Sequence, residues 1–236
     1  MSYAIAEKNG AGKWTELFVH STGVLDLGGN DQATGIICAK GDATGGTVTS
    51  AAPATLHLVD SYKVDSYDSW AKDSSGNKIA VPGYTNTLVY AGCVTLSKEG
   101  FYTNRLTRVS TTSGSLVVKR GKMEFAPTAS WTNATELVVS GTGVFSLEAR
   151  TDAQGPAFSP GLAMKLDSTA TLELGSTLEA GSLLVGRESL GSGCWGGADA
   201  AAANPSLNVR VLPNLRGPGI LRVRPAAGRG MEVRFY

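Results

Sequence analysis

The sequence predicts an all-β chain wound as a parallel β-helix, a β-solenoid with a loop excursion near residues 60–84, and three observations carry that reading. Composition favours short strands joined by tight turns: aromatic residues are 7% and charged residues 17% of the chain, Gly numbers 30, and Thr, Ser, Val, Leu and Ala are abundant. A coil-sized segment recurs along the chain. Asn-Gly and Asp-Gly hairpin turns are nearly absent, with only Asn9-Gly10 present, which weighs against a sandwich of antiparallel hairpins.

The recurrence shows when Glu16–Leu27 (ELFVHSTGVLDL) is laid on Glu136–Leu147 (ELVVSGTGVFSL), where seven of twelve positions are identical. Each copy reads as a strand, a turn at Gly23 or Gly143, and a second strand in which Leu25 and Leu27, or Phe145 and Leu147, point away from their neighbours. Ser115–Phe125 (SLVVKRGKMEF) is a looser copy about one coil upstream, with Leu116 preceding Leu137 by 21 residues. Ala163–Val185 continues the pattern, with Met164, Leu166, Leu172, Leu174, Leu178, Leu183 and Val185 in alternating runs divided by Gly175 and Gly181. A single coil cannot bury its inward row, but stacked coils align like residues into ladders and close each other's backbone hydrogen bonds.

Between these units, Thr47–Val59 and Thr87–Leu96 read as strands, and Asp60–Tyr84 is polar and aromatic, an excursion from the rod. Helix is expected only as one or two turns at Ala198–Ala203. The chain divides into a β-helix over residues 1–206 and Arg-rich capping strands of the same domain over 207–236. That last section carries six arginines against the single acid Glu232.

The run TGVLDLGGNDQATGIICAKGDATGGTVTSAAPATLHL resembles the autotransporter-associated β-strand repeat, in which a Leu-Asp-Leu strand leads into a Gly-Asn-Asp-Gln-like turn and then a Gly-Thr-Val strand. VTLSKEGFYTNRL and GSLVVKRGKMEFAPTASWTNATELVVSGTGVFSL resemble its following coils, so the likeness covers Leu17 to Leu174. The resemblance implies a right-handed parallel β-helix from the passenger part of a secreted or surface-displayed bacterial protein, adhesive or structural in role. Residues 1–10 show no signal peptide, and no apolar run reaches the ~20 residues of a spanning helix.

Candidate chemistry is sparse. A net charge of +1 does not mark a nucleic-acid binder. Cys38, Cys93 and Cys194 lack metal or redox spacing and read as small buried apolar groups. Gly10–Thr15 lacks the spacing of a phosphate loop, and no nucleophile elbow occurs, so His20 and His57 read as surface or satisfied histidines on alternating strands. No cofactor, metal site or catalytic residue is expected.

The strongest candidate site is glycan-binding: Asp65, Tyr67, Asp68, Trp70 and Tyr84 combine carboxylates that accept sugar hydroxyls with aromatic faces that stack on sugar rings. The arginine cluster reads as a solvated strand face, because Arg222 and Arg224 alternate with Leu221 and Val223. Expected partners are host or cell-surface glycans or proteins, and not nucleic acid. The functional expectation is a non-enzymatic structural or adhesive module, against a polysaccharide lyase or glycosidase and a phage-fibre-like receptor-binding segment. An enzyme of this shape would place acids and bases at matching positions of successive coils. The aligned copies instead pair Asp26 with Ser146 and His20 with Ser140.

Overall fold

The computed structural model describes residues 16–38, 44–59 and 83–225. Within them the chain is a parallel β-helix of three-strand coils, each coil laying one strand on each of three side faces. The longest face stacks Gln32–Thr34, Ala54–Leu58, Val94–Lys98, Leu116–Val118, Glu136–Val139, Ala163–Leu166 and Ser182–Val185, all in parallel. We call this face three. Face one carries the strands that follow it in the chain, Gly83–Asn86, Thr103–Leu106, Lys122–Phe125, Val144–Leu147 and Thr171–Leu174, with Leu215–Arg216 at the far end. Face two is narrower: it runs from Val24–Asp26 through Thr47–Thr49 and Val89–Tyr90, and further along holds Val109–Ser110 and Ser130–Trp131.

Alternation within each strand builds the core. On face three the inward row reads Leu56, Leu96, Leu116, Leu137, Met164, Leu183, and all six are essentially inaccessible. On face one Met123, Phe145, Leu172 and Leu215 stack the same way, beside Phe125, Leu147 and Leu174. Each such side chain contributes roughly 1.5–3 kcal/mol by leaving water. Leu25, on the first coil, packs half-buried against this core. Aromatic rings fill the corner between faces one and two: Phe125 lies 5.1 Å from Phe158 and 5.2 Å from Phe145, and Tyr90 stacks on Trp131 at 5.2 Å. Polar side chains also stand at inward positions, among them the buried Asn104 in line with Met123 and the buried Asn86 in line with Leu106. Lys98 stands in the aliphatic row between Leu58 and Val118, fully buried, its ammonium donating to the Gly100 carbonyl.

The recurring sequence segment is a corner. Gly143 N–H donates to the Ser140 carbonyl at 2.9 Å, Gly23 N–H to His20 at 2.7 Å, and Ala170 N–H to Asp167 at 3.1 Å. Residues 136–147 turn the corner from face three to face one, whereas residues 16–27 belong to the corner between face one and face two. The two most similar segments therefore occupy different corners of the prism.

Coil length varies while register holds. Successive inward partners on face three are 24, 40, 20, 21, 27 and 19 residues apart. The 40-residue step contains the excursion expected near 60–84, of which residues 60–82 lie outside the described residues.

Departure from the coil begins at Glu188–Leu190, which returns antiparallel on Ser182–Val185, ahead of the boundary expected at 207. Beyond it, the six-residue helix α1 (Ala198–Ala203) buries Ala200, and Leu221–Val223 pairs in parallel with Leu178–Ala180 while running antiparallel to Gly193–Gly196. The expected alternation is present: Leu221 and Val223 are buried, Arg222 and Arg224 exposed. Two of the three cysteines differ from expectation. Cys93 and Cys194 are half-buried free thiols, because both lie at or beside turns and strand ends rather than on an inward row.

Candidate functional surface

Of the residues expected to bind glycan, Asp65, Tyr67, Asp68 and Trp70 lie outside the described residues. Tyr84 is described: it pairs in register with the buried Asn104 on face one, and its hydroxyl oxygen is buried. His57 faces outward from between the buried Leu56 and Leu58, as alternation requires.

The structure gathers charges that the sequence keeps far apart. At the corner of faces three and one, Glu99 Oε1 accepts from Lys119 Nζ at 2.7 Å, Ser97 Oγ at 2.8 Å and His57 Nδ1 at 2.9 Å. A carboxylate only accepts, so the proton of this bond is carried on Nδ1. Burial pushes the Glu99 carboxyl up, but the bonds from Lys119, His57 and Ser97 outweigh it and bring its pKa down to about 2.

On face one a second cluster spans successive coils. Arg105 forks onto Glu148, with Nε–Oε1 at 2.6 Å and NH2–Oε2 at 3.0 Å, and also meets Glu124 at 3.0 Å. Lys122 bridges Glu124 at 3.1 Å and Glu173 at 3.0 Å. The Arg105 fork holds the Glu148 carboxyl below the ordinary carboxylate range. Burial pulls Lys122 down, but Glu173 and Glu124 win and raise it.

The outward row here reads Thr85, Arg105, Glu124, Ser146, Glu173, Arg216, one residue per coil. Acids and bases thus do stand at matching positions. The sequence comparison of Asp26 with Ser146 missed this because those residues occupy different faces: Asp26 pairs with Thr49, and Ser146 with Glu124 and Glu173. Alignment of the repeated corner could not have found it; a coil-by-coil register, with Phe125, Leu147 and Leu174 as the guide row, would have.

Beside the row, two open clefts meet at Gly175. One, of about 480 Å³, lies under the segment 150–157 and is lined by Arg150, Asp152, Ser176 and Thr177 among others. The other, of about 300 Å³, is lined by Ser146, Glu148, Glu173, Arg216 and Pro218 among others. Among the described residues no group of three or more His, Cys, Asp and Glu side chains is arranged to hold a metal ion, and no helix is long and apolar enough to cross a membrane.

Chemically, the cation partners of Glu99 and Glu148 favour the ionised form of these two carboxylates. A general acid needs the reverse, a carboxyl whose pKa is raised by an apolar pocket or a like charge. Compared with known proteins, the chain matches no family model, no curated protein and no solved structure.

Proposed function

We propose that this chain is a non-enzymatic structural or adhesive β-solenoid module of a secreted or surface-displayed bacterial protein, a stiff rod that offers its charged side faces to glycan or protein partners. The observation that carries this reading is the state of the outer carboxylates. Glu99 and Glu148 are held down in pKa by cation partners, and Glu124 and Glu173 are matched to Lys122. Carboxylates held by cations in this way fix a surface and orient a ligand, and the lowered Glu99 and Glu148 are poor proton donors. The continuous parallel ladder of face three supports the rod, since stacked coils derive stiffness from nearest-neighbour burial along the axis. The turn pattern at Val24–Gln32 and Gly45–Val48 supports the surface setting through its resemblance to autotransporter repeats.

One observation favours a polysaccharide-active enzyme as the second reading: the row Arg105, Glu124, Ser146, Glu173, Arg216 lays acid and base on consecutive coils. Incubating the protein with a panel of neutral and acidic polysaccharides, and measuring new reducing ends and unsaturated uronates, separates the two. Binding without product supports the module. Turnover abolished by Glu173→Gln overturns it in favour of the enzyme.

A further inference from the structure

Two asparagines stand in the interior on face one, and they differ in how their amides are met. Asn86 donates from Nδ2 to the Tyr90 hydroxyl at 2.8 Å and accepts the Leu88 N–H on Oδ1 at 3.0 Å. Asn104, on the next coil, is as fully buried, yet neither its Oδ1 nor its Nδ2 has a hydrogen-bond partner in the protein. Among the described residues no other side chain has two buried polar atoms in that state. A buried amide without partners forfeits the hydration that both its ends had in the unfolded chain, and native proteins match such groups with protein or with ordered water.

The surroundings of Asn104 are polar on one side and closed on the other. It stands in register with Tyr84 on the preceding rung and Met123 on the following one, each about 4.8 Å away at the usual strand spacing. The Tyr84 hydroxyl oxygen is buried too. Lys98, the last residue of the face-three strand on the same coil, also points inward, and residues 99–103 make the corner between it and Asn104. A phenol, an amide and an ammonium thus share the interior of one corner, with the inaccessible Met123 and Val118 on the next rung. The corner itself is pinned. The Glu99 and Gly100 N–H groups both donate to the Leu58 carbonyl, at 2.9 and 3.0 Å, the Lys119 N–H donates to the Lys98 carbonyl at 2.8 Å, and Tyr102 is buried.

The amide selects its own occupant. Oδ1 accepts and Nδ2 donates, so a cation would meet the first and leave the second, and an anion would do the reverse. A water molecule meets both. Internal waters typically make about three hydrogen bonds to buried polar groups, and the Tyr84 oxygen is the third group at hand. We propose that the interior of this corner is a binding site for a structural water anchored on Asn104, donating to Oδ1 and accepting from Nδ2. The site lets a polar amide stand in a row that continues as Met123, Phe145 and Leu172. Because the corner is pinned, the water leaves only when the coil opens locally, which makes its residence long.

Oxygen-17 magnetic relaxation dispersion of the full chain, which counts waters held longer than the tumbling time of the protein, tests the site together with a crystal structure of the wild type. Expected are density within hydrogen-bond distance of both Asn104 Oδ1 and Nδ2, a count lower by at least one in Asn104→Leu, and an unchanged count in Thr85→Ala on the exposed side of the same face. Asn104→Met, which repeats the next residue of the row, serves where Asn104→Leu does not fold, and the crystal structure needs no variant. Equal counts in wild type and the Asn104 variant overturn the site. So does a crystal structure in which the amide is met by protein groups, by an ion or by nothing.

Discussion

His57 Nδ1 lies 2.9 Å from Glu99 Oε1 across 42 residues of chain, because parallel pairing sets His57 beside Ser97 and the corner then carries Glu99 back over the imidazole. The same carboxylate oxygen takes Lys119 and Ser97, so three bonds from three coils converge on one atom.

Removing that anion tests its contribution. Glu99→Gln keeps the shape and loses the charge, and is expected to lower stability by about 1 kcal/mol at neutral pH. The effect has a defined pH course. Its folded pKa of about 2 lies below the ordinary 4.5, so on acidification the unfolded chain binds the proton first. The stabilisation is complete above 4.5, declines as pH falls toward 2, and is gone below. Urea midpoints of wild type and variant should therefore converge across that window. A gap that stays constant down to pH 2 contradicts the assignment.

Phe125 joins Trp131, Phe145 and Phe158 in one interior aromatic group and has no accessible surface. Phe125→Ala is expected to cost about 3–5 kcal/mol, since the neighbouring coils cannot close over the void. Val24, 68% exposed on the first coil, provides the contrast: Val24→Ser should change stability by no more than about 0.5 kcal/mol. Denaturant unfolding of the two variants measures both.

Two glycines of positive φ separate backbone strain from steric conflict. At Gly186 (φ +60) an added Cβ meets open space, so Gly186→Ala should cost only the left-handed penalty of about 1–2 kcal/mol. At Gly121 (φ +66) the same Cβ would lie 2.4 Å from the Gly100 carbonyl oxygen on the coil beneath. Gly121→Ala should therefore cost about 3 kcal/mol or more, and thermal midpoints of the pair rank them. Equal losses would mean that coil-to-coil contact at this corner is looser than the structure has it.

These contrasts mark where the sequence is readable. Alternation such as Met123, Phe125 against Lys122, Glu124 reveals which side chains go inward, because a strand has period two and nothing else interferes. The Thr-Gly corner is equally legible, since only a few residue types make that turn. Which face a corner joins is not written locally: Gly23 and Gly143 close near-identical turns at different corners. Side-chain neighbours across coils depend on the sum of every preceding coil length, and these run from 19 to 40 residues on face three. Glu124, Glu173 and Arg216 consequently look unrelated in the sequence and stand in one row in space.

The Arg150 guanidinium makes a further prediction. Its planar fork spreads over four carbonyls, two of them in the segment it closes, Gly155 and Gln154. An ammonium group cannot reach all of them from one point. Arg150→Lys should leave global unfolding nearly unchanged while proteolytic nicking within 148–162 becomes about tenfold faster, the mark of local opening. Unaltered nicking would show that Phe158 alone anchors the segment.

Leu137, Met164 and Leu183 remain in line although the first step takes 27 residues and the second 19. Extra chain at that corner leaves the register of this row unchanged even though its Phe158 packs into the core, and each doubling of such a loop costs only about 0.6 kcal/mol in closure entropy. The molecule behaves as a rail with exchangeable fittings: a corner segment can be lengthened, swapped or grafted for a new specificity while every other rung stays as it is.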